Sequence, residues 1–138
     1  MITLQRAHIE EMLAHAREAV PAECCGLIGG TERGGARSVY RASNVAPDPR
    51  VGYEIAVKEL LDAQRLMRER GEELWGIYHS HPRSIDPVPS ETDVRLAYYP
   101  SAVYFIIGFE DDRASLRAFR ISEREGSWQP VEYHVASE

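Results

Sequence analysis

Only two of the 138 residues are cysteine, and they are neighbours, Cys24 and Cys25. A disulfide between adjacent residues is strained, and neither thiol has another partner in the chain. The pair therefore reads as two small buried side chains in a reduced compartment, not as a disulfide framework. Long apolar runs are also missing, so no stretch approaches the roughly 20 residues that cross a bilayer. The opening MITLQR lacks a charged segment followed by an apolar one, which makes a cytoplasmic protein without membrane contact the expectation. Positive charge is in deficit: 16 Lys and Arg stand against 22 Asp and Glu, a formal net charge of -6. Such a chain has no general attraction for nucleic acid or anionic lipid. Arg65, Arg68 and Arg70 alternate with Glu59, Asp62 and Glu69 and read as a solvated helix face.

What is present describes a compact globular chain. Hydrophobic residues make up 43% and charged residues 28%, a balance that can bury one core. No internal repeat or linker divides it, so residues 1–138 are expected to form one domain. Ile9, Met12, Leu13 and Ala16 recur at helical spacing and predict a helix over 5–20, ended by Pro21. Strands are expected over 25–29 and 38–42, with Arg33, Gly34 and Gly35 turning the chain between them. Residues 44–52, with Pro47 and Pro49, read as a loop. A second helix is expected over 57–70, with Val57, Leu60, Leu61, Gln64 and Met67 on one side and Gly71 as its stop. A strand over 74–78 runs into His79, Ser80 and His81. Pro82, Pro87 and Pro89 stiffen the loop that follows. A short helix over 90–98 and strands over 102–109, 114–121 and 129–135 complete the chain. The order predicts an α/β (α+β) domain around a mixed sheet flanked by helices.

The chemistry concentrates at the end of the strand over 74–78. Residues two apart on a strand face the same side, so His79 and His81 present two imidazoles to one point. Asp93 is the candidate third ligand, returned to the same spot by the proline-stiffened loop. Two neutral imidazoles and one carboxylate suit Zn2+, one ion per chain, with the fourth position left to a water. A zinc site lowers the pKa of that water to roughly 7. Hydrolysis then needs a base for the water proton, a role a nearby glutamate such as Glu23 fills. It also needs a donor for the developing oxyanion, and Ser90 carries a hydroxyl close to Asp93 in sequence. Singly, each residue has an ordinary reading. A His-x-His pair occurs on surfaces, Ser90 and Asp93 form a helix-capping pattern, and Glu23 is an acid after a helix. Their conjunction is what points to a site.

That conjunction resembles the JAMM (MPN-plus) metallopeptidases, which carry a glutamate on the first strand, then His-x-His-Pro, then Ser-x-x-Asp. Here the pieces are PAECCGLI around Glu23, HSHP at His79 to Pro82, and PSETD at Pro89 to Asp93. The resemblance implies His79, His81 and Asp93 as zinc ligands, Glu23 as general base, Ser90 as oxyanion donor, and a curved mixed sheet of MPN type. It leaves Cys25 as a packing residue and assigns nothing to Cys24. The loop from His81 to Ser90 is one residue longer than in the commonest form of the motif. The implied substrate is a ubiquitin-like or sulfur-carrier protein with a Gly-Gly tail, cut after that tail. The YHSH and DVRLA stretches are similar to small bacterial Mec-type hydrolases, which release cysteine from such a carrier. The tail is expected to bind extended, beside a sheet edge.

Three other readings compete. A silent MPN scaffold would have lost ligands that this chain retains. A non-haem iron oxygenase would use the same two histidines and one carboxylate, but with a local His-x-Asp or His-x-Glu order that is missing. A DNA-associated relative would need positive charge.

Overall fold

The computed structural model describes residues 1–136. The chain runs β1 (Ile2–Gln5), α1 (Arg6–Ala19), β2 (Cys25–Thr31), β3 (Gly35–Ala42), α2 (Val57–Glu69), β4 (Glu73–His81), α3 (Glu91–Arg95), β5 (Val103–Glu110), β6 (Arg113–Ser122), β7 (Ser127–Val131) and β8 (Tyr133–Ala136). Six strands form one sheet in the order β3-β2-β4-β5-β6-β7. Only β4 and β5 in it are parallel; the other neighbours are antiparallel. A parallel pair needs a crossover connection, and the segment carrying the proline loop and α3 is that crossover. β1 and β8 pair parallel in a separate two-stranded sheet. The α+β class with a mixed sheet and flanking helices is thus the one observed.

The sheet is covered on both faces, which explains why its central strands are almost continuously apolar. β5 alternates its side chains between two cores. Val103, Phe105 and Ile107 join Met12 and Ala16 of α1, while Tyr104 and Ile106 join Ala63 and Met67 of α2. Gly26 admits the ring of Tyr78, since a Cβ there would lie 2.3 Å from that ring. The Tyr78 hydroxyl meets His15 Nδ1 of α1 at 2.6 Å, so a fully buried phenol still has its polar partner. α2 ends where Gly71 takes a positive φ of 72°, the left-handed stop that glycine adopts without steric cost.

Four expectations change in the structure. The inner side of α2 is Leu60, Ala63 and Met67, whereas Val57 and Leu61 are exposed. They belong to the same apolar run, but the 100° step of the helix carries them round to solvent. The strand expected over 129–135 is two strands, divided at Glu132 between the two sheets. β1 was not anticipated, because four residues give too short a pattern to read. α3 ends at Arg95, not at residue 98, since Leu96 to Tyr99 turn to place Ala97 and Tyr99 in the core under α2.

Candidate metal centre

His79 and His81 are the last residues of β4, at the carboxyl end of the parallel pair. Ligand sites in α/β sheets recur outside the carboxyl ends of such strands. The two histidines follow Ile77 in alternation and so lie on the α2 face of the sheet. Their Nε2 atoms are 3.1 Å apart.

Asp93 reaches the same point through its helix cap. Ser90 is the N-cap of α3: its Oγ accepts from the Asp93 N–H at 3.0 Å, and Asp93 Oδ2 accepts from the Ser90 N–H at 2.9 Å. This capping box holds the carboxylate with Oδ2 3.2 Å from His79 Nε2 and 3.0 Å from His81 Nε2. The capping reading of Ser90 and Asp93 is therefore correct, and the cap is also what aims Asp93 at the histidines. Ser90 Oγ uses an acceptor site in the cap, which leaves its hydroxyl proton free to donate.

The loop of residues 82–88, with its extra residue, is tied to the sheet. The Phe109 N–H donates to Ser84 O at 2.7 Å, Arg117 Nη1 donates to Pro87 O at 3.2 Å, and Ser115 Oγ donates to Ile85 O. Gly108 lets the loop approach, since a Cβ there would fall 2.1 Å from Ser84 O. The loop thus returns the chain to α3 with little freedom.

Glu23 arrives from the neighbouring strand. β2 runs antiparallel to β4 with Cys25 opposite His79. Two residues further back, Glu23 stands across from His81. The start of β2 is pinned there: the Cys24 N–H donates to Ser80 Oγ at 2.9 Å, and Ser80 N–H to Cys24 O at 3.3 Å. The Glu23 carboxylate lies within 4.8 Å of a donor nitrogen on each histidine. All five expected residues are brought together. Two neighbours had no individual role in the sequence, which offered their segment only as a flank of the substrate groove: Tyr53, whose ring stacks on His79 with centroids 4.3 Å apart, and Asn44, which bonds the Glu23 carbonyl at 2.9 Å.

The donor set fits a small divalent cation. In a tetrahedral centre with bonds of roughly 2.0–2.1 Å, ligand atoms stand about 3.3 Å apart. The two Nε2 atoms and Asp93 Oδ2 form a triangle with sides of 3.0 to 3.2 Å. One central cation would take a lone pair from all three atoms at once. Glu23 and Asp93 both offer carboxylates: Asp93 completes the tight triangle, and Glu23 comes within 4.8 Å of both histidines. Electrostatics agrees. Burial disfavours a charged His81, yet the Asp93 carboxylate, with Glu23, holds its pKa above the ordinary value. Burial also pushes Asp93 up, but the two histidines outweigh it and hold that carboxyl well below the usual range. A pocket that retains a proton so firmly favours positive charge at its centre. Glu23 is different: it is only 7% exposed, and burial raises its pKa to about 7 against the opposing pull of His81.

A profile of prokaryotic homologs of the JAB domain matches residues 5–122. The chain belongs to the prokaryotic JAB-domain family. It is similar to a desampylase of Haloferax volcanii, with 43% identity over 104 residues, which are 70% of this chain and 73% of that one. It is also 33% identical over 124 residues to the CysO-cysteine peptidase of Mycobacterium tuberculosis, covering 89% of this chain and 84% of the relative. A protein from Desulfitobacterium hafniense solved in solution is 37% identical, with a TM-score of 0.86 over 100% of this chain and 94% of its own. The JAMM resemblance of the three motifs thus holds over most of this JAB-domain chain, and its relatives are named for peptidase activity.

Proposed function

We propose that this JAB-domain chain is a zinc-dependent peptidase that cuts conjugates of a ubiquitin-like or sulfur-carrier protein after the carrier's C-terminal Gly-Gly tail. Residues 1–138 act as one peptidase domain in the cytoplasm, and cysteine is the leaving group to test first. One observation carries the reading: two histidine Nε2 atoms and one carboxylate oxygen converge within 3.2 Å, with the buried Glu23 carboxyl within 4.8 Å of the histidines. The substrate class is supported by relatives named desampylase and CysO-cysteine peptidase.

His79, His81 and Asp93 would hold one zinc ion. Bound there, zinc polarises a scissile carbonyl and lowers the pKa of water. Glu23 takes the proton of the attacking water and returns it to the departing amine. A carboxyl whose pKa is raised to about 7 is matched to both halves of that task near neutral pH. The Ser90 hydroxyl, with its proton uncommitted by the cap, donates to the oxyanion as it forms. The Tyr53 ring covers the face of His79 and keeps solvent from one side of the reacting groups.

The test is hydrolysis of a ubiquitin-like sulfur carrier fused through its Gly-Gly tail to cysteine, with and without a zinc chelator. His81→Ala serves as the control. Cleavage after the second glycine that disappears in both controls is expected. One bound zinc per chain with no cleavage of this fusion or of a lysine-linked one would overturn the assignment.

A further inference from the structure

Glu23 lies outside the sheet that positions the histidines. β2 begins at Cys25, so neither peptide group of Glu23 is held by a strand ladder. Both are bonded to the loop of residues 44–54, and the second is also tied to β4 through the Cys24 N–H on Ser80 Oγ at 2.9 Å. The Glu23 N–H donates to Pro49 O at 2.7 Å, and the Glu23 carbonyl accepts from Asn44 Nδ2 at 2.9 Å.

Asn44 also determines the shape of that loop. Its Nδ2 donates to Gly52 O at 2.9 Å and lies 3.4 Å from Pro49 O. Its Oδ1 accepts from the Ala46 N–H at 3.0 Å and the Glu54 N–H at 3.1 Å. One side chain thus fastens both ends of the loop and its middle, and ties all three to Glu23. Backbone pairing at the loop's neck adds the Val45 N–H to Glu54 O at 2.8 Å. Tyr53, next to the Gly52 carbonyl that Asn44 holds, carries the ring stacked on His79. Only a short side chain with two donors and an acceptor satisfies this arrangement. An aspartate of the same shape would set a second oxygen against three carbonyl oxygens.

We propose that Asn44 is a positioning residue: it orders the loop of residues 44–54 so that Glu23 and Tyr53 are held against the histidine pair. This rests on Glu23 being the general base. The Asn44 side chain bonds backbone groups of its own loop and of Glu23; it acts through the Glu23 peptide, and its loss leaves the three converging donors in place. A base displaced by a fraction of an ångström is costly, since a misplacement of about 1 Å can lower a rate roughly 10²-fold.

The experiment uses Asn44→Asp and Asn44→Ser in the full chain, alone and combined with Glu23→Gln. It measures zinc content, kcat and KM on the carrier–cysteine fusion, and hydrogen exchange at the Glu23 amide. Both variants are expected to keep one zinc per chain and a cooperative melt. Each is expected to lose roughly 10- to 100-fold in kcat with little change in KM, and to exchange the Glu23 amide faster. In the Glu23→Gln background the Asn44 substitutions cost almost nothing further, because the group they position is already gone. An equal loss in both backgrounds, unchanged exchange at Glu23, or failure of both variants to fold would overturn the proposal. Full activity of Glu23→Gln alone would instead overturn the base assignment, and the exchange measurement still reports whether Asn44 holds that peptide.

Discussion

The ring of Tyr53 lies on the imidazole of His79, with planes only 22° apart and centroids 4.3 Å apart. His79 belongs to a strand and Tyr53 to a loop, so the contact joins the sheet to the chain between β3 and α2. Burial holds the Tyr53 hydroxyl well above its ordinary pKa, so the ring is neutral at all working pH values. Tyr53→Phe is expected to keep metal affinity and activity near those of the parent. Tyr53→Ala removes the support of a ligand side chain and is expected to weaken zinc binding roughly 10- to 100-fold. Competition with a chromogenic chelator measures this, and equal affinities for the Ala and Phe variants would refute the role.

The Glu23 pKa has a cost that appears when the metal is removed. The unfolded chain ionises this carboxyl near 4.5, whereas the folded chain does so at about 7. Between those values the native state binds more protons than the unfolded one, so stability is full below pH 4.5 and declines as pH rises through 7. Glu23→Gln removes that decline. The chelated variant is expected to exceed the chelated parent by on the order of 1–3 kcal/mol at pH 8, with little difference at pH 4. Urea denaturation at the two values tests it, and a gap that does not widen with pH would show that Glu23 is not desolvated.

Ser90 has two duties that one substitution can separate. Glycine at an N-cap costs only a few tenths of a kcal/mol relative to serine, whereas alanine costs about 1 kcal/mol. Neither supplies a hydroxyl. Ser90→Gly is expected to fold almost as stably as the parent, retain zinc, and lose roughly 10²–10³ in kcat, the usual loss for one oxyanion donor. Ser90→Ala should match that rate loss and melt lower. Near-parental kcat in the glycine variant would reduce Ser90 to a cap.

Cys24 and Cys25 are both buried and unpaired. Burial pushes the Cys24 thiol up to about 11 and the Cys25 thiol up to about 12. The thiolate is the reactive form, so both should resist alkylation of the native chain at pH 8 and react at once in denaturant. Rapid stoichiometric labelling of native protein, followed by mass spectrometry, would contradict this packing role. Cys25 stands opposite His79 in the sheet.

Local patterns were legible because each depends on near neighbours. The helical spacing of Ile9, Met12, Leu13 and Ala16 gave α1, and the two-residue spacing of His79 and His81 gave a shared face. Ser90 and Asp93 gave a cap, and the cap is present. α2 was placed well, and Leu60 and Met67 face inward as expected, but Val57 and Leu61 are apolar without being buried. Hydrophobic residues occur widely on protein surfaces, so their identity alone does not choose a face. The strand over 129–135 hid a change of sheet at Glu132, a matter of which neighbour each half pairs with.

Sequence alone determined the chemical kinds in the site: two imidazoles, two carboxylates and a hydroxyl, in motifs short enough for local geometry to constrain. The tertiary structure decided which of them meet. Glu23 is 56 residues from His79 in the chain, and the antiparallel register of β2 on β4 brings it across from His81. Asn44 and Tyr53 carry no motif of their own. They enter the site because the chain between β3 and α2 folds back on itself and exchanges its hydrogen bonds with the Glu23 peptide. Such pairings depend on the closing of long loops and the burial of a shared face, and neither is encoded in any window of a few residues.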